Sequence, residues 1–169
     1  SLEFKTKINI SSAVIADKKI KDTITLIKSK DKLRQLIEKG SVHVIFDIEN
    51  TKHDRFNQRN SGMNHIFASL MMKKKITYGI SLESLKSPSN MLRSQILARI
   101  KQNITLAEKY DIEVAVFSFA DYPLKMRAPR DIISLARTLG LDQEKAKKSL
   151  QSLKLENKNF ICDGVELVE

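Results

Sequence analysis

The sequence has few of the residues that build disulfides, linkers and membrane spans. Its one cysteine, Cys162, cannot form an internal disulfide or a cluster of thiolate ligands, which suits a reducing compartment, and we expect it to pack as a small apolar residue. Five glycines and three prolines in 169 residues leave no linker-like tract. Apolar runs of about six residues are too short to span a membrane, and the polar N-terminus lacks a signal-peptide core. We therefore expect one soluble, cytoplasmic domain over residues 1–169.

Positive charge is what the sequence has in excess. It contains 30 Lys and Arg against 20 Asp and Glu, for a net charge of +10. A surplus of this size favours a nucleic acid partner, because electrostatic affinity grows with the number of phosphates neutralised together. Tryptophan is absent, and so are the aromatic runs of RNA-recognition motifs, KH loops and zinc knuckles. Phosphate contact with folded RNA or DNA is therefore favoured over stacking on single-stranded bases.

Strand and helix patterns alternate along the chain and predict an α/β protein with a mainly parallel sheet. A first unit joins a strand at 23–28, a helix at 31–39 ended by Gly40, and a strand at 42–47. The following elements are a helix at 63–72, a strand at 76–81, a helix at 90–109, a strand at 112–119, a helix from Pro129 to Leu139 closed by Gly140, and a helix at 143–153 capped by Asp142. About five or six strands are too few for a complete eight-stranded barrel. The sheet is therefore open or curled toward a barrel.

Basic residues concentrate in loops that follow the predicted strands. In α/β folds these loops, here 48–62, 82–90 and 120–131, carry the functional residues. The first contains Lys52, His53, Arg55 and Arg59, and the third contains Lys125, Arg127 and Arg130. Two basic loops on one edge of a sheet would form a continuous positive surface, although each could also be an ordinary solvated loop.

The three consecutive lysines Lys73, Lys74 and Lys75 close a helix pattern and run directly into a strand pattern. Unbalanced positive charge at such a boundary predicts a docking place for an anion. Lysines at a helix C-terminus also complement the helix dipole, and that alternative stays open.

Residues for catalysis or metal binding are sparse. His43, His53 and His65 have neither the HxH nor the HExxH spacing that places two imidazoles on one metal ion. We expect His43 in or beside the core, while His65 either contacts RNA or hydrogen-bonds the backbone. Asp47 and Asp121 follow strands and could be catalytic carboxylates, yet aspartate there commonly caps the next helix or turn. No GxSxG elbow, Walker loop or GxGxxG motif is present.

Three segments of the chain resemble the ribonuclease P protein component 3 family of archaea and eukaryotes. They are NSGMNHIFASLMMKKKITYGISLESL at 60–85, RAPRDIISLARTLGL at 127–141 and FICDGVELVE at 160–169. Family members usually carry further strands and helices ahead of the position that Thr23 occupies here. The resemblance implies a TIM-barrel-like fold of the polymerase and histidinol phosphatase type, in an incomplete or shortened form. The absence of any HxH motif agrees with loss of the metal site of that superfamily.

The resemblance also implies a function and partners. Family members assist the catalytic RNA of ribonuclease P in removing the 5′ leader from precursor tRNA, with magnesium bound to the RNA and no cofactor on the protein. They act with ribonuclease P protein component 2, commonly as a heterotetramer. A metal-dependent phosphoesterase using Asp47, Asp121 and a histidine is the rival hypothesis, and a pure assembly scaffold is a third.

The residues carried over from the family segments are His65, Lys74, Arg127, Arg130 and Asp131. Arg127 and Arg130 are the first candidates for RNA contact, because a strand-to-helix loop can hold guanidinium groups for bidentate phosphate binding. Asp131 is expected to orient one of these arginines or to cap the helix, and Gly62 to serve loop geometry. The other candidates for RNA contact are Lys73, Lys74, Lys75, Arg59, His65 and Lys125.

Overall fold

Five parallel strands form the main sheet of the protein, each hydrogen-bonded to the strand that precedes it in the chain. The computed structural model describes residues 13–15, 24–28, 33–38, 42–51, 54, 56, 59–86, 89–120, 122–150, 160–162 and 165–166. The sheet strands are β1 Ala13–Ile15, β2 Ile24–Lys28, β3 Val44–Phe46, β4 Thr77–Ser81 and β5 Val114–Phe117. The predicted α/β class and parallel sheet are confirmed, and within the described residues the sheet is open, as in a partial barrel.

Besides two short 3-10 helices, Ser84–Lys86 and Pro123–Lys125, the described ranges contain five α-helices that connect or follow the strands. They are α1 Leu33–Glu38, α2 His65–Lys73, α3 Asn90–Lys109, α4 Pro129–Leu139 and α5 Gln143–Lys148. Strands β6 Phe160–Cys162 and β7 Val165–Glu166 form a separate antiparallel pair. No helix in the described ranges is both long and apolar enough to cross a bilayer.

One face of the sheet packs against all five helices. Alternate strand residues such as Ile27, Ile45 and Tyr78 enter a single core with the buried stripe of every helix. From α3 this stripe contributes Ile96, Ile100, Ile104 and Ala107. Because successive side chains of a strand point to opposite faces, the helices of the described chain all lie on the same side of the sheet.

A small aromatic cluster occupies the other face. The centre of the Phe119 ring lies 4.6 Å from the centre of the Phe46 ring and 5.2 Å from the centre of the Phe117 ring. Gly79 on the intervening strand makes room for them, since a Cβ there would lie 3.0 Å from Cε2 of Phe117. Phe119, with φ of 44°, turns the chain away from β5. The aromatic cluster therefore fixes where the loop after β5 begins.

Three elements end earlier than their sequence patterns predict, and one of them is β5, which ends at Phe117 instead of at residue 119. Strand β3 stops before Asp47, which has φ of 58° and begins a turn closed by the Asn50 N–H to the Asp47 carbonyl. Helix α5 stops at Lys148 instead of continuing toward 153, because the Ser149 carbonyl accepts a hydrogen bond from Val116 N–H on the edge of the sheet. In contrast, α4 has its predicted bounds, with Pro129 in the first turn and Gly140 at φ of 122° after its end.

Candidate functional site

The loops that follow β3, β4 and β5 meet at the carboxyl edge of the sheet, because the strands are parallel and adjacent. Arg59, Lys125, Arg127 and Arg130 all lie in loops or at a helix start on this edge. Lys52, His53, Arg55 and Asp121 belong to the same loops by sequence but lie outside the described residues. The carboxyl edge therefore carries four of the sequence-predicted cations: Arg59, Lys125, Arg127 and Arg130.

A cleft of about 390 Å³ opens between the loops after β4 and β5. Three cationic residues, Lys86, Lys125 and Arg127, line it together with Asp131. Its remaining lining is Leu82, Leu85, Ser118, Ile132 and Leu135. A partly apolar concave surface with convergent cations suits an anionic group attached to a flat or apolar body, such as a nucleotide. Lys86 is a residue that the sequence patterns did not single out.

The cations of the cleft, and the nearby Arg130, differ in the side chains with which they interact. Lys86 is paired with Glu83 one turn earlier, and the Lys125 ammonium lies 4.4 Å from the centre of the Tyr122 ring. Arg127 and Arg130 are exposed, and in the described part of the chain no carboxylate lies within ion-pair distance of either. These two guanidinium groups therefore keep their donors available for phosphate oxygens.

Asp131 lies in the first turn of α4, where a negative charge complements the helix dipole. Ala128 is the N-cap residue of α4, and no side chain caps this helix. Among the described residues Asp131 makes no ion pair with Arg127 or Arg130, so the geometry favours its effect on the helix terminus over orientation of an arginine.

Arg99 fastens the loop after β3 to helix α3. Its side chain is 2% exposed and donates to the carbonyl oxygens of Glu49 and Thr51 at 3.1 Å and 2.9 Å. It also binds Asp54 Oδ1 at 2.9 Å. The same carboxylate oxygen accepts the N–H of Asn60 at 2.8 Å, which lowers the pKa of Asp54. One buried guanidinium thus holds three points of the loop.

A second polar group on α3 completes the attachment. Asn103, fully buried, donates from Nδ2 to the Ser61 carbonyl at 2.9 Å and lies 3.4 Å from the Tyr78 hydroxyl. Tyr78 in turn donates to Glu49 Oε2 at 3.1 Å. Sequence reasoning missed this network. Its signal was present, since Arg99 and Asn103 are polar residues on the apolar stripe of α3.

The buried carboxyl of Glu49 predicts a pH dependence of stability. Burial, with a smaller effect from the Asp47 carboxylate, raises the pKa of Glu49 from 4.5 to about 7. The unfolded chain therefore releases this proton near pH 4.5 while the folded chain keeps it to about pH 7, and rising pH favours unfolding across that interval. We expect Glu49 to lower the free energy of unfolding by about 3 kcal/mol between those limits. Urea unfolding at a series of pH values measures this change.

Substitution Glu49→Gln is the control for that experiment, because glutamine keeps an acceptor for Tyr78 and has no proton to release. The variant is expected to lose the decline in stability over this interval. An unchanged decline in the variant would assign the pH dependence to other groups.

Asp47 lies beside this network on the carboxyl edge. Its Oδ2 atom pairs with Lys28 at 3.2 Å, and its Oδ1 atom is buried without a hydrogen-bond partner among the described residues. The side chain therefore forms an ion pair instead of the cap that its position favours. Across the described residues, no three His, Cys, Asp or Glu side chains come together in a way that could hold a metal ion.

The end of the loop after β3 depends on a glycine. Gly62 has φ of 77°, and a Cβ at this position would lie 2.1 Å from the Ile48 carbonyl oxygen. Two residues later Asn64 caps α2 by accepting the Phe67 N–H at 2.8 Å. His65 is the first residue of this helix and is exposed. His43, by contrast, is half-buried and accepts the Thr25 N–H on Nδ1 at 3.0 Å.

Lys73, Lys74 and Lys75 are separated from the cations of the carboxyl edge. They lie at the C-terminal end of α2, directly before β4, and therefore at the amino edge of the sheet. All three are exposed, and Lys75 has φ of 51° where the chain leaves the helix. The nine residues of α2, a length of about 13 Å, separate this lysine cluster from His65. The predicted cations thus form two groups on opposite edges.

A groove of about 530 Å³ runs along α2 from His65 to Lys73. It is lined by Arg34, Glu38, Asn64, His65, Ile66, Phe67, Ser69, Leu70, Lys73 and Tyr110. Arg34 and Glu38 pair across one turn of α1 at 3.0 Å, and Ile66 is 58% exposed. The groove therefore combines charged walls with exposed apolar surface.

Comparison with known proteins matches this chain to a protein family. A family model described as RNase P subunit p30 matches residues 28–156. Ribonuclease P protein component 3 of Methanococcoides burtonii is 29% identical over 121 residues, which cover 68% of this chain and 50% of that protein. The same-named protein of Methanococcus maripaludis (strain DSM 14266) is 28% identical over 148 residues, which cover 79% of this chain and 63% of that protein. The chain spans about half the length of the first of these relatives.

A solved structure has a similar fold. A chain of the cryo-EM structure of archaeal ribonuclease P with mature tRNA superposes with a TM-score of 0.62 at 20% sequence identity. The match covers 76% of this chain and 54% of that chain.

Proposed function

Because the chain belongs to the RNase P subunit p30 family, we propose that it is a noncatalytic, RNA-binding subunit of ribonuclease P. In this role it supports the catalytic RNA as that RNA removes the 5′ leader from precursor tRNA in the cytoplasm. The family match is the observation that carries the proposal. The catalytic RNA and its bound magnesium ions supply the chemistry, and the protein supplies neither an active site nor a cofactor.

The carboxyl edge of the sheet supplies the main RNA contact in this proposal. Folding of a large RNA brings phosphates close together, and each lysine or arginine placed among them reduces their repulsion and the magnesium needed to offset it. Arg127 and Arg130 serve this purpose with donors that no described carboxylate occupies. Lys125 extends this surface from the same loop, and Arg59 extends it from the loop after β3.

The lysine cluster at the amino edge contacts a different segment of RNA. Lys73, Lys74 and Lys75 lie at the C-terminal end of α2, on the opposite edge of the sheet from Arg127 and Arg130. Two separate contacts would let the protein bridge two RNA segments. Substitution of each group should therefore remove protection from different nucleotides in chemical probing.

Ribonuclease P protein component 2 is the protein partner in this proposal, in a heterotetramer with two copies of each protein. Membership of the family supports it. Light scattering of the mixed proteins measures the mass of the assembly, and a 1:1 complex of one copy each would reject the heterotetramer.

Replacement of Arg127 and Arg130 at the carboxyl edge should weaken RNA binding. For Arg127→Ala with Arg130→Ala we expect roughly a tenfold loss of affinity per residue near 0.1 M salt, and a salt slope lower by about one per residue. The reason is that fewer counterions are released when fewer phosphates are neutralised. Filter binding to the catalytic RNA over a range of salt concentrations measures both quantities.

The matched control is Arg137→Ala, an exposed arginine at the opposite end of the same helix. Cleavage of precursor tRNA, reconstituted from catalytic RNA, component 2 and this protein at limiting magnesium, tests the function itself. Rescue of cleavage only when this protein joins component 2 is the expected result. Cleavage by the protein without the RNA would replace the proposal with an enzyme, and equal loss in the Arg137→Ala control would remove the arginines from the interface.

A further inference from the structure

The loop after β3 presents a fully exposed aromatic ring. Phe56 has a relative exposure of 103%, the highest among the exposed large apolar residues of the described chain. Exposure of a whole phenylalanine ring to water is unfavourable, by about 25 cal/mol for each Å² of its apolar surface. Neither the core nor the proposed arginine contact uses this ring.

The base of this loop is rigidly closed although its tip is exposed. Thr51 Oγ1 donates to the Asn60 carbonyl at 2.7 Å, so the two ends of the segment are joined. Arg99 binds the Thr51 carbonyl and Asp54 inside the same segment. Thr51, Asp54 and Asn60 are therefore held in place by these contacts, which lowers the entropy lost when a partner binds beside them.

The charge of the loop identifies the class of partner. Residues 51–60 contain the cations Lys52, Arg55 and Arg59 and a single carboxylate, Asp54. Because Asp54 is bound to the buried guanidinium of Arg99, its charge is neutralised within the protein. The aromatic ring is thus surrounded in sequence by cations without an opposing free carboxylate. An aromatic side chain among cations is the combination that binds unpaired nucleotides, with the ring on a base and the cations on its phosphates.

We propose that Phe56 and Arg59, in the loop after β3, form a nucleotide-binding site, in which Phe56 stacks on an unpaired base of RNA and Arg59 contacts the adjacent phosphate. The inference rests on the proposed RNA-binding function and adds a feature of the RNA to it. Composition alone favoured phosphate contact over stacking, and the exposed Phe56 ring is what changes that expectation for this loop. Arg99 acts as a positioning residue, because it holds the loop from α3 without facing the RNA.

The absence of tryptophan from the chain provides a direct test. Substitution Phe56→Trp introduces a single indole at the tip of the loop, and an indole stacked on a base loses its fluorescence. We expect strong quenching on addition of the catalytic RNA or of an oligoadenylate, and little on addition of a blunt RNA duplex. We also expect Phe56→Ala to weaken binding of the oligoadenylate by about tenfold.

The matched control is Met91→Trp, which places one indole at another exposed apolar position, 72% exposed at the start of α3. Because the start of α3 also lies at the carboxyl edge, the comparison uses the oligoadenylate, with which the emission of the control should change little. Equal quenching at both positions would reject a specific stacking site. Binding of the catalytic RNA without quenching at position 56 would reject the inference and leave the proposed function intact. A blue shift with component 2 and no quenching by RNA would assign the ring to a protein interface, and failure of the unsubstituted protein to bind RNA would reject both proposals.

Discussion

Replacement of Arg99 by methionine is expected to lower the free energy of unfolding by about 3 to 5 kcal/mol. The guanidinium is buried and donates to the Glu49 and Thr51 carbonyls as well as to Asp54. Removing it leaves two carbonyl oxygens without this donor and a carboxylate, 29% exposed, without its counterion. Methionine fills a similar volume, so the loss reports the polar contacts and not a cavity. Urea unfolding followed by circular dichroism measures it.

The control for this change is Lys101→Met on the exposed side of the same helix, for which we expect a change within about 0.5 kcal/mol. Arg99→Lys should fall between the two, because lysine keeps the charge but lacks the fork that reaches several oxygens. Equal stability of Arg99→Met and Lys101→Met would show that water replaces the guanidinium without cost, and the loop would then not depend on it.

Gly62→Ala is the second substitution for which a large effect is expected. A positive φ costs a residue with a Cβ about 1–2 kcal/mol, and overlap with the Ile48 carbonyl oxygen at 2.1 Å adds to this. We therefore expect a loss of about 3 to 5 kcal/mol in the free energy of unfolding. The same unfolding experiment measures it.

Gly140→Ala separates the cost of the positive φ from the cost of the steric overlap. Gly140 also has a positive φ, of 122°, but nothing lies within 4 Å of the position that its Cβ would occupy. Its substitution should show the conformational cost alone, about 1–2 kcal/mol. If Gly62→Ala is no more destabilising than Gly140→Ala, the loop after β3 can move away from Ile48, and its geometry is less constrained than the structure indicates.

The alternation of elements was predictable from sequence because it depends on local patterns. The strands at 24–28 and 77–81 and the helices at 90–109 and 129–139 follow directly from apolar periodicity, capping residues and Pro129. The predicted bounds of an element are wrong where a tertiary contact ends that element. Ser149 stops α5 by joining the edge of β5, and that contact lies 33 positions away in the chain, between Val116 and Ser149.

The candidate site was predictable only in part. Family segments and loop positions led to Arg127 and Arg130, and both lie at the carboxyl edge. Composition could not show that Lys73 to Lys75 lie on the opposite edge, since that follows from the direction of α2 relative to β4. The attachment of the loop to α3 was also hidden, because Arg99 and Asp54 are 45 residues apart in sequence. Polar residues on an apolar helix stripe indicate burial but do not identify the partner.

The order of the strands has a consequence for how the chain folds during synthesis. Each strand of the main sheet pairs with the one made just before it, so no strand has to wait for a later segment to find its neighbour. A ribosome adding about 5–20 residues per second delivers successive strand and helix units to an edge that is already formed. The sheet can therefore grow in one direction, by addition of one strand at a time. Its most recently added edge is exposed to aggregation only until the next unit arrives.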